Sequence, residues 1–175
     1  NLAVHELKMI LETSSTSRCC YIGLGSNLDK PIQHITTAID ELKTLAHCQY
    51  QGTSSLYRSA PVGPAGQDDY INAVACLTTT LTPEQLLNSL QAIENAHQRV
   101  RVERWGARTL DLDILLIDNL TINTTRLTVP HPYIQDRNFV LIPLFELAGE
   151  ISINDQLITD LLKTCPAGEL QLISA

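Results

Sequence analysis

The stretch Arg104-Trp105-Gly106-Ala107-Arg108-Thr109-Leu110-Asp111-Leu112-Asp113-Ile114-Leu115-Leu116-Ile117 decides the fold. It opens as a loop holding arginines and the chain's single tryptophan, and closes as an apolar run of strand length broken by two aspartates. Side chains alternate faces along a strand, so Asp111 and Asp113 project from one side and Leu110, Leu112, Ile114 and Leu116 from the other. The two carboxylates then stand roughly 7 Å apart on an otherwise buried element. Like charges on a partly desolvated face raise each other's pKa and cost folding energy unless a cation lies between them. Mg²⁺ suits such hard oxygen donors, since it takes one or two carboxylates and completes its shell with water and phosphate oxygens. A bare Asp-x-Asp also suits a solvated sheet face; the arginines just upstream shift the balance toward a metal seat.

Those arginines belong to an uneven charge distribution. The 175 residues carry a formal charge of −7, yet four arginines fall between Arg99 and Arg108, Arg126 and Arg137 follow, and no lysine lies between Lys43 and Lys163. Planar guanidinium forks grip phosphate oxygens in pairs, so an arginine-only patch in an acidic chain points to a polyphosphate ligand. The net negative charge argues against nucleic acid as a partner. The length suits one domain with a substantial core. With 44% hydrophobic residues, the chain reads as soluble and globular; no apolar run approaches the ~18 residues of a membrane span, and no signal-peptide pattern opens it. A cytoplasmic location without a membrane partner is expected. Cys19, Cys20, Cys48, Cys76 and Cys165 are odd in number, lack Cys-x-x-Cys spacing, and read as small core residues.

Upstream, Thr82-Pro83-Glu84-Gln85 has capping-box form, and Leu86, Leu87, Leu90, Ile93 and Ala96 recur behind it at helical spacing. Gln91 and Glu94 lie side by side on that helix, where exposed polarity accounts for both. Tyr70 to Leu81 predicts a strand with Tyr70, Asn72 and Val74 on one face and Ile71, Ala73, Ala75 and Leu77 on the other. An aromatic beside an amide can stack on and hydrogen-bond a flat heterocycle; ordinary sheet surface carries the same pair. Arg58 to Asp69 is a Gly/Pro-rich loop, and Cys48 to Tyr57 a strand. A helix capped by Asp29, with Pro31 in its first turn, presents Ile32, Ile35, Ile39, Leu42 and Ala46. Cys19 to Leu24 is the first strand, closed by a turn at Gly25-Ser26-Asn27. Gly23-x-Gly25 is no dinucleotide fingerprint, because Leu28 stands where a third glycine is needed. Residues 1–18 read as an N-terminal extension or linker, leaving 19–175 as the domain.

Downstream, Asp118-Asn119 turns the chain into a small hairpin of Leu120 to Ile122 and Leu127 to Val129. Pro130-His131-Pro132 is a rigid corner that fixes the direction of His131. Asn138 to Ala148 reads as a helix kinked at Pro143, and the tail holds a short strand at 150–153 and a helix around 159–163. Strand, helix, strand, strand, helix, strand specifies an α+β fold: a ferredoxin-like antiparallel sheet with helices on one face, plus the additional hairpin and C-terminal helices. The opposite face carries Tyr70, Asn72, Asp111 and Asp113 as an open platform covered by loops.

Tyr21 to Asn27, Asp69 to Ala73, Arg99-Val100-Arg101, Glu103 to Asp113 and Arg126 to Pro132 together resemble the 6-hydroxymethyl-7,8-dihydropterin pyrophosphokinases of folate biosynthesis, over about Tyr21 to Ala148. The resemblance implies transfer of the β,γ-diphosphate of ATP to the hydroxymethyl oxygen of the pterin, leaving AMP. It implies Tyr70 and Phe139 sandwiching the pterin, Asn72 at its edge, and backbone groups of Ser59, Pro61 and Val62 completing that pocket. It implies two Mg²⁺ ions on Asp111 and Asp113. It implies a nucleotide site lined by Gln91, Glu94, Arg101, Trp105, Ile114, Arg126, Thr128 and His131, with Arg137 near the phosphates or the pterin and Arg99 and Arg108 stabilising the transferring group. A monomer acting on these two small molecules is expected.

Such chemistry needs positioning and charge neutralisation rather than a protein nucleophile, and Asp111 is the nearest side chain to receive the hydroxyl proton. Pro132 stands where members often carry tyrosine, and the link from Arg101 to Trp105 is one residue shorter than in some of them. Two other readings use the same sheet. A palm-type two-metal nucleotidyl transferase leaves Tyr70 and Asn72 unexplained. The other is a non-catalytic small-molecule or RNA-binding ferredoxin-like module, whose RNA form the negative charge and the lack of stacked strand aromatics weigh against.

Overall fold

The computed structural model describes residues 16–61, 65–97, 109–166 and 168–173. Val62, Arg99, Arg101, Trp105 and Arg108, together with residues 1–15, lie outside the described residues. The elements run β1 (Arg18–Ser26), α1 (Pro31–Lys43), β2 (Cys48–Thr53), β3 (Leu56–Ser59), β4 (Tyr70–Thr79), α2 (Pro83–Ala96), β5 (Asp111–Ile117), β6 (Ile122–Asn123), β7 (Thr128–Val129), α3 (Asn138–Ala148), β8 (Ser152–Ile153), β9 (Gln156–Leu157), α4 (Ile158–Thr164) and β10 (Leu170–Ile173). Six strands form one antiparallel sheet in the order β10-β3-β4-β1-β5, with β2 also pairing to β4. The β1-α1-β2/β3-β4-α2-β5 order and the central pairing of β1 with β4 give the expected ferredoxin-like α+β arrangement.

Period-two alternation sorts the central strands onto two cores. Cys20, Ile22 and Leu24 of β1, Ile71, Ala73, Ala75 and Leu77 of β4, and Leu112 and Ile114 of β5 pack against Ile35, Ala38 and Leu42 of α1 and Leu86, Leu90 and Ile93 of α2. On the opposite face, Val74, Leu115 and Leu116 pack against Leu141 and Leu144 of α3 and Ile158 and Leu161 of α4. The C-terminal helices therefore cover part of the face expected to be an open platform.

Leu116 was expected beside Leu112 and Ile114. The register between β1 and β5 slips between Tyr21 and Ile22, so that Tyr21 faces Leu116 while Ile22 faces Ile114. Leu115 is the extra residue of a bulge, and the alternation flips after it. Asp111 and Asp113 lie before the bulge and keep their shared face.

The capping box forms as expected: Gln85 N–H donates to Thr82 Oγ1 at 3.2 Å and Thr82 N–H to Gln85 Oε1 at 3.0 Å. Asp29 does not cap α1. Lys30 occupies the cap position at φ 62°, after Asp29 at φ 54°, with no side-chain cap, and its carbonyl accepts from Gln33 and His34. Gly25 and Ser26 continue β1 rather than turning, and the Ser26 hydroxyl donates to the Thr109 carbonyl at the foot of β5.

The strand expected over Cys48 to Tyr57 is two strands. Between them Ser54 Oγ accepts the Val74 N–H at 3.0 Å, and Ser55 donates through its N–H and its hydroxyl to the Glu146 carboxylate, both at 2.6 Å. Those bonds divert the chain for two residues, after which β3 rejoins β4 and reaches Ser59, inside the stretch expected to be loop. At the tail, β8 and β9 make a small hairpin, and β10 adds an edge strand beside β3 where the sequence suggested none. All five cysteines are free, as expected; Cys20 and Cys76 are buried, whereas Cys19, Cys48 and Cys165 are only partly so, and burial pushes the Cys20 thiol up to about 12.

Candidate active site

The site grows from two rows of cross-strand neighbours. Gly25 of β1 lies opposite Asn72 of β4 on one side and Asp111 of β5 on the other; Gly23 lies between Val74 and Asp113. Adjacent strands are about 4.8 Å apart, so a glycine in the middle leaves a slot roughly 10 Å wide between the Asn72 and Asp111 side chains. A Cβ on Gly25 would stand 3.8 Å from Asn72 Oδ1 and 3.9 Å from Tyr70 Cδ1, filling that slot without a clash. Asn72 is buried and donates from Nδ2 to Ser59 Oγ at 2.8 Å. That bond orients the amide and leaves its carbonyl oxygen beside the slot, an acceptor for a donor on a bound heterocycle.

Around this floor, Ser59, Ala60, Tyr70, Phe139 and Val140, together with Asp111, Asp113, His131 and Arg137, line one cleft. Tyr70 is the first residue of β4 and Phe139 the second of α3, and both reach the same cleft from different layers. The Arg137 guanidinium lies 5.0 Å over the Tyr133 ring and 5.7 Å over the Phe139 ring, in cation–π range of both. A second pocket adjoins the first. It is lined by Leu87 of α2, Asp113 and Ile114 of β5, the 124–128 hairpin including Arg126 and Thr128, and His131 with Pro132. Asp113 and His131 line both.

His131 is set by the corner that carries it. Its N–H donates to the Leu115 carbonyl at 3.0 Å, tying the corner to β5, and its Nδ1 accepts the Tyr133 N–H at 3.2 Å. Burial, with Arg137 adding repulsion, lowers its pKa to about 4. The imidazole is therefore neutral near pH 7, and with Nδ1 accepting, Nε2 carries the proton.

The structure brings most of the expected pterin group together: Ser59, Tyr70, Asn72 and Phe139 share the first cleft, while Pro61 does not line it. Of the expected nucleotide group, Ile114, Arg126, Thr128 and His131 share the second pocket, and Arg137 sits in the first. Arg126 is held from α2, 2.6 Å from Glu84 Oε1, 2.7 Å from Asn88 Oδ1 and 3.4 Å from Gln91 Oε1, so Gln91 touches the site through that guanidinium. Glu94 lines neither pocket. It lies under β5, with Oε1 2.8 Å from the Leu112 nitrogen.

Gly23 and Gly25 line the cleft but were not expected there: sequence reasoning weighed them as a nucleotide fingerprint and placed Gly25 in a turn. Two glycines spaced by two within a strand signal close approach of a ligand or backbone on one face. Among the described residues no group of three or more His, Cys, Asp or Glu gathers. The donor set is the Asp111/Asp113 pair, two hard oxygen ligands that fit Mg²⁺ better than zinc.

Residues 21–149 match the model of the family described as 7,8-dihydro-6-hydroxymethylpterin-pyrophosphokinase (HPPK). The chain is 49% identical over 144 residues to the 2-amino-4-hydroxy-6-hydroxymethyldihydropteridine pyrophosphokinase of Haemophilus influenzae, spanning 82% of this chain and 90% of that protein. With the enzyme of the same name from Pseudomonas aeruginosa it shares 46% identity over 147 residues, 83% of this chain and 91% of the relative. In fold it resembles the Plasmodium falciparum HPPK-DHPS structure with pterin and p-hydroxybenzoate, at a TM-score of 0.68 and 14% identity, over 90% of this chain but only 44% of that one. With the family model covering both pockets and close relatives matched over most of their length, the chain belongs to the 6-hydroxymethyl-7,8-dihydropterin pyrophosphokinase family.

Proposed function

We propose that the two pockets divide the family's substrates between them: the Tyr70/Phe139 cleft takes the pterin and the Arg126/Thr128 pocket takes ATP. The chain is an enzyme of folate synthesis that transfers pyrophosphate from ATP to the hydroxymethyl group of 6-hydroxymethyl-7,8-dihydropterin. The observation that supports the division is that Asp113 and His131 line both pockets, a common junction for two separately held substrates in this reading.

Each residue then has a task. The glycine floor admits the flat pterin, Tyr70 and Phe139 offer ring faces, and Asn72 with Ser59 meets its polar edge. Pro61 stays outside that lining, which in this reading leaves the Val62 backbone, with Ser59, to complete the pocket. The pterin hydroxyl oxygen bonds to the β-phosphorus of ATP, the bridge to the α-phosphorus breaks, and AMP leaves; Asp111 stands nearest to take the hydroxyl proton. Asp111 and Asp113 would hold Mg²⁺, two ions in this reading, which when bound neutralises phosphate charge. Neutral His131 donates from Nε2 to the nucleotide side, beside Ile114, Thr128 and the Arg126 that Gln91 steadies. Glu94 belongs to the same side of the site. Arg101 and Trp105 extend the nucleotide site, Arg99 and Arg108 neutralise the transferring group, and Arg137 serves the phosphates or the pterin.

The working unit is residues 19–175, with 1–18 outside the chemistry, acting as a monomer in the cytoplasm. Among the described residues no helix is long and apolar enough to cross a membrane.

The test is the product. With ATP, Mg²⁺ and the reduced hydroxymethylpterin, AMP and the pterin diphosphate are expected in equal amounts. Release of inorganic pyrophosphate with a nucleotidyl adduct would instead mean a nucleotidyl transferase, a reading the family match does not favour.

A further inference from the structure

Glu94 is a carboxylate on α2 with 4% of its surface exposed. Charged groups are rarely so buried unless something pairs with them. Its Oε1 accepts the N–H of Leu112 at 2.8 Å, and Leu112 is the residue between Asp111 and Asp113. Among the described residues β5 pairs only with β1, at the edge of the sheet. A buried edge N–H needs an acceptor from outside the sheet, and Leu112 is only 3% exposed. α2 supplies it, and α2 is fixed: Leu90 and Ile93 lie in the same apolar cluster as Leu112 and Ile114.

Resting on the metal-assisted pyrophosphokinase reading, we infer that Glu94 is a positioning residue for the aspartate pair: by gripping the peptide between Asp111 and Leu112 from beneath the strand, it fixes how the two carboxylates present themselves. Charge-assisted bonds to backbone N–H groups are shorter and stronger than neutral ones, which suits a strand end that must not shift. Groups that orient a metal's ligands, rather than touching the metal, commonly cost 10–100-fold in affinity or activity when lost. This role acts through the Leu112 amide and is additional to any nucleotide contact.

Two substitutions separate reach from charge. Glu94→Gln keeps an oxygen at the same distance and loses the charge; Glu94→Asp keeps the charge and falls one methylene short. Mn²⁺ binding in the presence of α,β-methylene-ATP, followed by electron paramagnetic resonance, reads the aspartate pair without turnover. Steady-state kinetics and hydrogen exchange of the Leu112 amide complete the set. Positioning predicts that Glu94→Gln stays within about threefold of the parent in Mn²⁺ affinity and kcat. Glu94→Asp should lose about tenfold or more in both, with an unchanged KM for the pterin and a faster-exchanging Leu112 amide.

The reverse ranking, equal loss in both variants, or no loss in either overturns the inference. Asp113→Asn run alongside distinguishes the layers. If it abolishes Mn²⁺ binding while Glu94→Asp is silent, only the positioning role falls. If it binds Mn²⁺ as the parent does, the metal reading itself falls.

Discussion

The two faces of the central sheet are made by the same three strands and differ in almost every property. Toward α1 and α2, β1, β4 and β5 present Cys20, Ile22, Leu24, Ile71, Ala73, Ala75, Leu77, Leu112 and Ile114, and the face is closed along its length. One residue out of phase, the same strands present Tyr21, Gly23, Gly25, Tyr70, Asn72, Val74, Asp111 and Asp113. Among the described residues that second face is closed where Val74, Leu115 and Leu116 meet α3 and α4, and at the other end it lines the cleft. Burial of apolar area stabilises by about 25 cal/mol per Å², so the open end forgoes stability that the closed face collects. In the proposed reading it keeps two glycines, a buried amide and two carboxylates because they serve a ligand rather than the fold.

The sharpest way to break this contrast is a pair of substitutions. Asp113→Ala on the open end should lower kcat on the order of a thousandfold, equivalent to about 4 kcal/mol of barrier, while thermal unfolding and pterin affinity measured by calorimetry change little. Leu90→Ala on the closed face, at a fully buried position, should lower unfolding free energy by about 3 kcal/mol while kcat of the folded enzyme is kept. If Asp113→Ala unfolds the protein or Leu90→Ala slows chemistry as much, the division of labour between faces is wrong.

What was legible in the sequence was what depends on neighbours within a few residues. The alternation of Tyr70 to Leu77, the Thr82/Gln85 capping box and the shared face of Asp111 and Asp113 are local patterns, and each is realised. What was not legible depends on partners far away in sequence. Leu116 changes face because β5 slips against Tyr21 and Ile22 of β1. The break after Thr53 is held by Glu146, 91 residues from Ser55. β10 has too few residues to signal a strand until β3 offers an edge. In the site, aspartates and aromatics announced themselves by side-chain chemistry. Gly23 and Gly25 line the cleft by having no side chain, which only the register reveals; Glu94 was expected on the nucleotide side, and its bond to the Leu112 backbone shows only once α2 is placed under β5.

The slot over Gly25 gives a test of intermediate size. Gly25→Ala adds one methyl with contacts of 3.8 and 3.9 Å, ordinary van der Waals distances. The fold should accept it, with unfolding unchanged or slightly more costly because glycine's extra freedom in the unfolded chain is removed. Pterin affinity should fall about tenfold, since the methyl stands where the flat ring has to lie. Gly23→Ala differs: its Cβ would come within 3.3 Å of Leu115 Cδ2, so its first effect is on packing and stability. Equal pterin affinities for Gly25→Ala and the parent would remove the slot from the site.

His131 gives the smallest effect and connects the site to pH. Its pKa in the folded chain is about 4, against 6.5 for an ordinary histidine, because burial and then Arg137 disfavour the charged form. Between those values the unfolded chain binds the proton and the folded chain does not. Stability therefore falls as pH drops from about 6.5 toward 4 and is restored above 6.5. His131 is only half-buried, so solvent screening reduces the effect to about 1 kcal/mol. Urea unfolding of the parent and of His131→Gln at pH 7 and pH 4.5 isolates it, since carboxylates titrating in that window are common to both. The parent should lose about 1 kcal/mol more than the variant on acidification. Equal losses would mean that His131 is as well hydrated as a surface histidine, and that the junction between the two pockets is wetter than a site for excluding water from phosphoryl transfer requires.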